Sequence, residues 1–233
     1  MNQNLQKTWK NDDELFHIIR NELYTAVIGD IMDVLGYMNQ FLPPQLRPLT
    51  EGDFIVGRAM TVVEADIVSQ SSVNNTALNK PFGLMLEALD DLKKNEIYVC
   101  TGASPTYALW GELMSVRAKY LGAAGAIVDG YSRDTNGIRA VGFPVFSYGC
   151  YAQDQAPRGK VIDYRVPLSI KGVRVCPGDI LVGDIDGVCV VPQEIENEVF
   201  KRAIEKARGE RTVLQSLQEG MAAKAAFEKY KIM

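Results

Sequence analysis

Histidine is nearly missing: His17 is the only one in 233 residues. A Ser-His-Asp triad, a Cys-His dyad or a multi-histidine zinc site therefore has almost no material to work with. His17 itself lies in DELFHIIRNEL, which reads as an amphipathic helix, so it is expected on a helix face. Cysteine is sparse and unpaired in pattern. Cys100, Cys150, Cys176 and Cys189 form no CxxC motif, and three of them sit in strand-like text (IYVC, VRVC, GVCVV). They are expected to be reduced core residues of a cytoplasmic protein. No apolar run approaches the roughly 20 residues of a membrane span. The polar start, MNQNLQKTWKNDDELF, has no apolar segment of the signal-peptide kind. Excess positive charge is absent too: the formal net charge is −4, which argues against a nucleic-acid partner. What chemistry remains must come from carboxylates, Arg, Lys, Tyr or a metal held through oxygen.

What is present is the composition of a globular chain, 47% hydrophobic and 23% charged, long enough to bury a core without disulfides. Helical spacing of apolar residues runs from Leu15 to Leu35 within residues 13–38, with Gly36 as a stop. FLPPQLRPL (41–49) is a proline-punctuated loop. Phe54–Ala65 reads as a strand, 69–80 as a polar loop and 83–94 as a helix. An ordered alternation follows: strand Glu96–Thr101, helix Glu112–Leu121 closed by Gly122, strand Ala126–Asp129, then strand Pro144–Ser147 after a connection able to hold a short helix. Strand, helix, strand over this length is a βαβ unit with parallel strands. Beyond residue 160, short runs parted by Lys-Gly, Pro-Gly-Asp and Asp-Gly turns read as a β-meander. A helical region covers 193–230, with a break expected near Gly209 or Gly220. No linker divides the chain. The expectation is one α/β domain over residues 1–233, with a polar extension at 1–12 and a helical C-terminal extension.

In such sheets ligands bind beyond the carboxyl ends of the parallel strands. Three segments arrive there: loop 102–111, the helix start Gly111-Glu112-Leu113-Met114, and the loop Gly130-Tyr131-Ser132-Arg133-Asp134. Unpaired backbone N–H groups at a helix start favour an anion, and Gly111 lets it approach. Arg133 offers a planar fork to a carboxylate or enolate. Asp134 and Glu112 offer hard oxygen to Mg²⁺ or Mn²⁺. Plainer roles stand beside these: Arg133-Asp134 as a solvated ion pair, and Glu112 as a partner of the helix dipole. The GxxG at 122–125 reads as a helix stop, and Asp184-Ile185-Asp186-Gly187 as a hairpin turn rather than a calcium loop.

The block GELMSVRAKYLGAAGAIVDGYSRD (111–134) resembles the RraA-like family, which includes 4-hydroxy-4-methyl-2-oxoglutarate/4-carboxy-4-hydroxy-2-oxoadipate aldolases and protein regulators of ribonuclease E. LYTAVIGDIMDVLG (23–36), GRAMTVVEAD (57–66), FPVFSYG (143–149) and GVRVCPGDILVGDIDGVCVVP (172–192) are similar to the family's other segments, in family order. The acidic residue, twenty residues, then Arg-Asp of the aldolases is matched by Glu112 and Arg133-Asp134. The regulators tend to carry Gly at that first position.

The resemblance implies an α-β-β-α sandwich with mixed sheets, assembled as a homotrimer or homohexamer. It implies that Asp134 ligates Mg²⁺, Mn²⁺ or another divalent cation, that Glu112 orders water around it, and that Arg133 binds the keto acid and its enolate. The amides of Leu113 and Met114, next to Gly111, would hold the carboxylate. A C-terminal glutamate of a neighbouring subunit, Glu205 or Glu210, would reach the metal's water. The implied reaction is class II aldol cleavage of a 4-hydroxy-2-oxo acid, such as 4-hydroxy-4-methyl-2-oxoglutarate, to pyruvate and a second oxo acid. Oxaloacetate decarboxylation follows as a side activity, since it passes through the same enolate. No lysine is placed for a Schiff base: Lys119 lies two turns along the helix from Glu112. The alternative is a non-catalytic regulator of ribonuclease E-type activity. A methyltransferase is disfavoured by the lack of a glycine-rich cofactor loop.

Overall fold

The computed structural model describes residues 9–67 and 76–232. Most of the expected polar extension and part of the 69–80 loop lie outside them. In chain order the elements are α1 (Asp12–Glu22), α2 (Thr25–Val34), β1 (Arg47–Pro48), β2 (Ile55–Asp66), α3 (Met85–Asp90), β3 (Glu96–Thr101), β4 (Ala108–Trp110), α4 (Glu112–Tyr120), β5 (Gly125–Val128), β6 (Tyr131–Ser132), α5 (Thr135–Val141), β7 (Val145–Ser147), β8 (Gly159–Tyr164), β9 (Leu168–Ile170), β10 (Val173–Val175), β11 (Ile180–Asp184), β12 (Gly187–Val191), α6 (Glu196–Gln218) and α7 (Ala223–Tyr230). They gather into two compact units, Asn39–Gln193 and Met1–Met38 with Glu194–Met233.

The central unit is built on an eight-stranded mixed sheet ordered β1-β7-β5-β3-β2-β11-β12, with β8 also paired to β2. β7, β5, β3 and β2 run parallel, as the βαβ pattern requires. The period of two along β3 sorts its side chains onto opposite faces. Tyr98 and Cys100 enter one core with Leu89, Ala118 and Ile138 of the helices α3, α4 and α5. Ile97 and Val99 enter another with Leu168, Ile170, Val173 and Val175 of the β9–β10 hairpin. The unit is thus layered helix, sheet, hairpin, and the fold class is mixed α/β.

The segment after residue 160 is not a simple meander. Among the described residues β9 pairs only with β10, whereas β8 and β11 both join β2. The reason is the length of β2: over twelve residues it offers its first half to β11 and its second half to β8.

In the terminal unit the expected single helix of residues 13–38 is two helices. Asn11 caps α1 through a bond from Glu14 N to its Oδ1 (3.0 Å), and Leu23 and Tyr24 then turn extended. The break lets Leu23 stay buried while the Tyr24 hydroxyl donates to Glu210 of α6. His17 is exposed on α1, as expected. The C-terminal break falls at Gly220 (φ +94°), between α6 and α7. Gly209 stays helical, and the space left by its missing side chain is taken by Ile232. All four cysteines are free; Cys100 and Cys189 are buried, but Cys176 is half-buried and Cys150 exposed. The core expectation therefore fails for those two, which follow the strand ends rather than sit within a strand.

Candidate active site

β4 and β6 were both read as loop, yet they decide the site. They form a two-stranded parallel sheet that pairs Ala108 with Tyr131 and Trp110 with Ser132. This brings the start of α4 beside the start of α5. Arg133 N donates to Trp110 O at 2.9 Å. Trp110 is a fixed platform: buried, stacked on Phe143, tilted against Tyr98, and bonded through Nε1 to Ser115 Oγ (2.7 Å). A buried indole N–H needs such a partner.

Two glycines interlock the acidic residues. Gly111 is the N-cap of α4, and a Cβ there would stand 2.8 Å from Asp134 Oδ2. Gly137, in α5, would place a Cβ 2.2 Å from the Glu112 carboxylate. Each carboxylate therefore lies against a glycine of the other's helix. Asp134 is the N-cap of α5, held in the left-handed region (φ 57°), and its side chain makes no capping bond. Aspartate tolerates that backbone better than most residues. Among the described residues no side chain caps α4 either, which leaves the amides of Glu112, Leu113 and Met114 open at its positive end.

Arg133 sits between carboxylates, 39% exposed. Nη1 bonds Asp154 Oδ1 at 2.8 Å, and Nε lies 3.6 Å from Asp134 Oδ2. These groups edge a cavity of about 370 Å³. Its polar lining is Arg133, Asp134, Asp154 and Gln155 beside Gly111. Its apolar lining is Ala108, Leu109 and Trp110 with Phe82, Met85, Leu86, Leu89, Leu113 and Met114.

Behind Gln155 lies a buried carboxyl, Glu64, only 3% exposed. Burial pushes its pKa up to about 8, with a contribution from nearby Asp66 and partial opposition from Tyr107 and Gln155. Glu64 Oε1 and Gln155 Nε2 have no hydrogen-bond partner among the described residues. Tyr107 OH instead donates to Asp66 Oδ1 at 2.9 Å.

The model of the RraA-like family (Aldolase/RraA) matches residues 25–190. The chain belongs to the RraA-like family. A Halalkalibacterium halodurans protein provisionally named a 4-hydroxy-4-methyl-2-oxoglutarate aldolase is 33% identical over 207 residues, covering 88% of this chain and 90% of that one. A solved structure of an uncharacterized Pseudomonas syringae protein superposes with a TM-score of 0.81 at 26% identity, over 99% and 100% of the two chains. Streptomyces coelicolor RraAS2, described as an unusual member of the RNase ES inhibitor RraA protein family, gives 0.73 at 25% identity, over 88% and 98%.

Within this RraA-like chain the structure brings Gly111, Leu113, Met114, Arg133 and Asp134 to one cavity, whereas Glu112 is not among its lining residues and sets its carboxylate against Gly137 of α5. Leu113 and Met114 offer apolar side chains to the cavity as well as their amides. The sequence reading missed Asp154, Gln155, Gly137 and the wall from 82–89. Nothing in YAQDQ marks Asp154 as the partner of an arginine twenty-one residues earlier. Lys119 donates to Val141 O and does not line the cavity. In the terminal unit Glu210 accepts from Tyr24 and lies 3.6 Å from Lys206, whereas Glu205 is exposed. Among the described residues no three His, Cys, Asp or Glu side chains gather into a metal cage. The donors at the cavity edge, an uncapped Asp134 with Glu112 nearby, suit a hard cation that keeps most of its water, as Mg²⁺ does.

Proposed function

We propose that this RraA-like chain is a divalent-metal-dependent class II aldolase that cleaves a 4-hydroxy-2-oxo acid to pyruvate and a second carbonyl compound. The observation that carries the reading is the convergence of Arg133 and Asp134 on the open amino end of α4 at a cavity mouth. Asp134 would hold the cation, with Glu112 at its water; when bound, the cation supplies Lewis-acid polarisation of the 2-oxo group. The amides of Leu113 and Met114 grip the substrate carboxylate. Glu112, through water, takes up the proton from the C4 hydroxyl as the C3–C4 bond breaks. Arg133 meets negative charge where it grows on the enolate oxygen. C3 of the enolate then takes a proton to give pyruvate. Oxaloacetate decarboxylation is included as a side activity because it needs the same enolate. Assembly as a homotrimer or homohexamer, with Glu205 rather than the engaged Glu210 reaching a neighbour, belongs to the same proposal, as does a cytoplasmic location.

Support comes from the site geometry, the complete Glu112 to Arg133-Asp134 spacing, and the name of the Halalkalibacterium halodurans relative. The test is pyruvate release over a panel of 4-hydroxy-2-oxo acids and oxaloacetate, with EDTA and with added Mg²⁺ or Mn²⁺. Release that stops in EDTA and returns with metal is the expected outcome. Undiminished release in EDTA would remove the metal, and no release from any member would favour the ribonuclease-regulator reading.

A further inference from the structure

Resting on the enolate-binding role proposed for Arg133, we infer that Gln155 is a positioning residue that acts on Arg133 through Asp154, with the buried Glu64 carboxyl as its anchor. The segment beyond β7 is pinned at two points. Gln153 O accepts from Ala108 N of β4 at 2.9 Å, and Gln155 O accepts from Gly159 N of β8 at 2.9 Å. Between the pins two adjacent side chains have opposite surroundings. Asp154 is 48% exposed and accepts from Arg133 Nη1 at 2.8 Å. Gln155 is 6% exposed and shares a cluster with the buried Glu64 and Tyr107. Gly159 completes that cluster: a Cβ there would stand 2.5 Å from Glu64 Oε1 and 2.0 Å from Tyr107 OH.

Glu64 Oε1 and Gln155 Nε2, an acceptor and a donor, have no hydrogen-bond partner among the described residues. Folds leave few such groups, because a buried polar atom without a partner is costly. Gln155 follows directly in the chain on Asp154, the carboxylate bonded to Arg133. An enolate at Arg133 competes with Asp154 for the same guanidinium. As Asp154 gives way, the segment is free to shift between its pins, and Gln155 Nε2 closes onto Glu64 Oε1. The bond gained there offsets the bond loosened at Arg133. A bond made only as charge grows on the substrate raises kcat and leaves KM nearly unchanged. In this role neither Gln155 nor Glu64 touches a reacting atom; they set how freely the guanidinium leaves Asp154.

The test is a double-mutant cycle in the full chain with MgCl₂, using Gln155→Met, Asp154→Ala and the double variant. Met keeps the volume of Gln without its polar atoms, and Asp154 is exposed, so all three should fold; urea unfolding checks this. Gln155→Met alone is expected to lower kcat for aldol cleavage and oxaloacetate decarboxylation about tenfold, the scale of coupling within one network. KM should move by less than about twofold. In the Asp154→Ala background the same substitution should change kcat by less than about twofold, because the link to Arg133 is already cut. Oxalate, a dianion shaped like the pyruvate enolate, gives a readout free of turnover. In calorimetry Gln155→Met should weaken it about tenfold with Asp154 present and leave it unchanged without Asp154. An equal loss in both backgrounds, a rise in KM alone, or no loss would overturn the inference, while pyruvate release leaves the aldolase reading standing. Coupled oxalate binding without pyruvate from any substrate would sink the aldolase reading and keep the positioning role. If Gln155→Met does not fold, Gln155→Asn, which carries the amide on a side chain one methylene shorter, takes its place with the same expected outcomes.

Discussion

Two arginines in the central unit each face two carboxylates, and they differ in what is left over. Arg165 has four of its five N–H donors engaged: Nε pairs with Asp91 Oδ2, Nη1 and Nη2 reach Glu96 at 2.8 and 2.9 Å, and Nη2 also bonds Asp91 O at 2.8 Å. It is 27% exposed, and the Glu96 and Asp91 bonds raise its pKa above the usual guanidinium value despite burial. Arg133 makes one short bond, to Asp154, and one longer approach, to Asp134. Its planar fork has further donors that these contacts do not use. A satisfied guanidinium ties α3 and β3 to the loop after β8; an under-used one at a cavity edge is poised for a ligand. The sequence marks Arg133 by its spacing from Glu112, but how many donors each arginine has engaged appears only in the fold.

The largest effect expected from breaking this contrast is at Asp134. Asp134→Ala should abolish metal-stimulated pyruvate release and any calorimetric response to Mg²⁺, with folding unchanged by circular dichroism. Normal turnover in the variant would return the pair to a surface role. Next is Arg133→Lys, which keeps the charge and loses the fork. If the pair were only an exposed salt bridge it would be worth about 0–1 kcal/mol, and little would change. A lost donor to a developing oxyanion costs on the order of 10²–10³ in kcat. We expect at least a hundredfold loss on that scale, with aldol cleavage and oxaloacetate decarboxylation falling together. Loss of aldol cleavage alone would place Arg133 at the leaving half of the substrate.

Arg165→Met should behave in the opposite way. It should lower stability in urea by about 2 kcal/mol, the scale of hydrogen bonds to charged groups, while kcat stays as in the parent. A kcat loss without a stability loss would erase the distinction between the two arginines.

The last expected effect is on the pH dependence of stability and leaves turnover aside; it concerns the buried carboxyl behind the cavity. The Glu64 pKa is raised from 4.5 to about 8, so in that window the folded protein holds a proton that the unfolded chain has released. Stability contributed by this group therefore falls as pH rises from about 4.5 to about 8, by at most about 1.4 kcal/mol per unit. Above that range it levels. Glu64→Gln should remove the slope, gaining on the parent at pH 8 but not at pH 5 in urea unfolding. An unchanged slope would show that the buried carboxyl is solvated in solution.

The elements legible in the sequence were those carrying their own signal. β3 is a continuous apolar run between polar ends, and α4 has a glycine before it and a glycine after it. β4 and β6 have three and two residues, too short for any periodicity. The α1–α2 break was hidden because the apolar spacing continues through Leu23. Asp154 gave no signal because its partner is fixed by β6 and the chain beyond β7, not by local pattern.

The residues by themselves determined which chemistry was open. With one histidine and no cysteine cluster, carboxylates and arginine were left, and Glu112, Arg133 and Asp134 stood at spacings that put them after parallel strands. Only the tertiary structure decided how those groups are used. Segments 82–89, 108–114, 133–137 and 154–155 meet because parallel crossovers and the β4–β6 pair bring remote chain together. Contacts of that kind depend on three-dimensional closure, and no window of sequence contains both partners. That is why the glycine–carboxylate interlock, the sharing of Arg133 with Asp154 and the apolar lining of the same cavity became visible only in the fold.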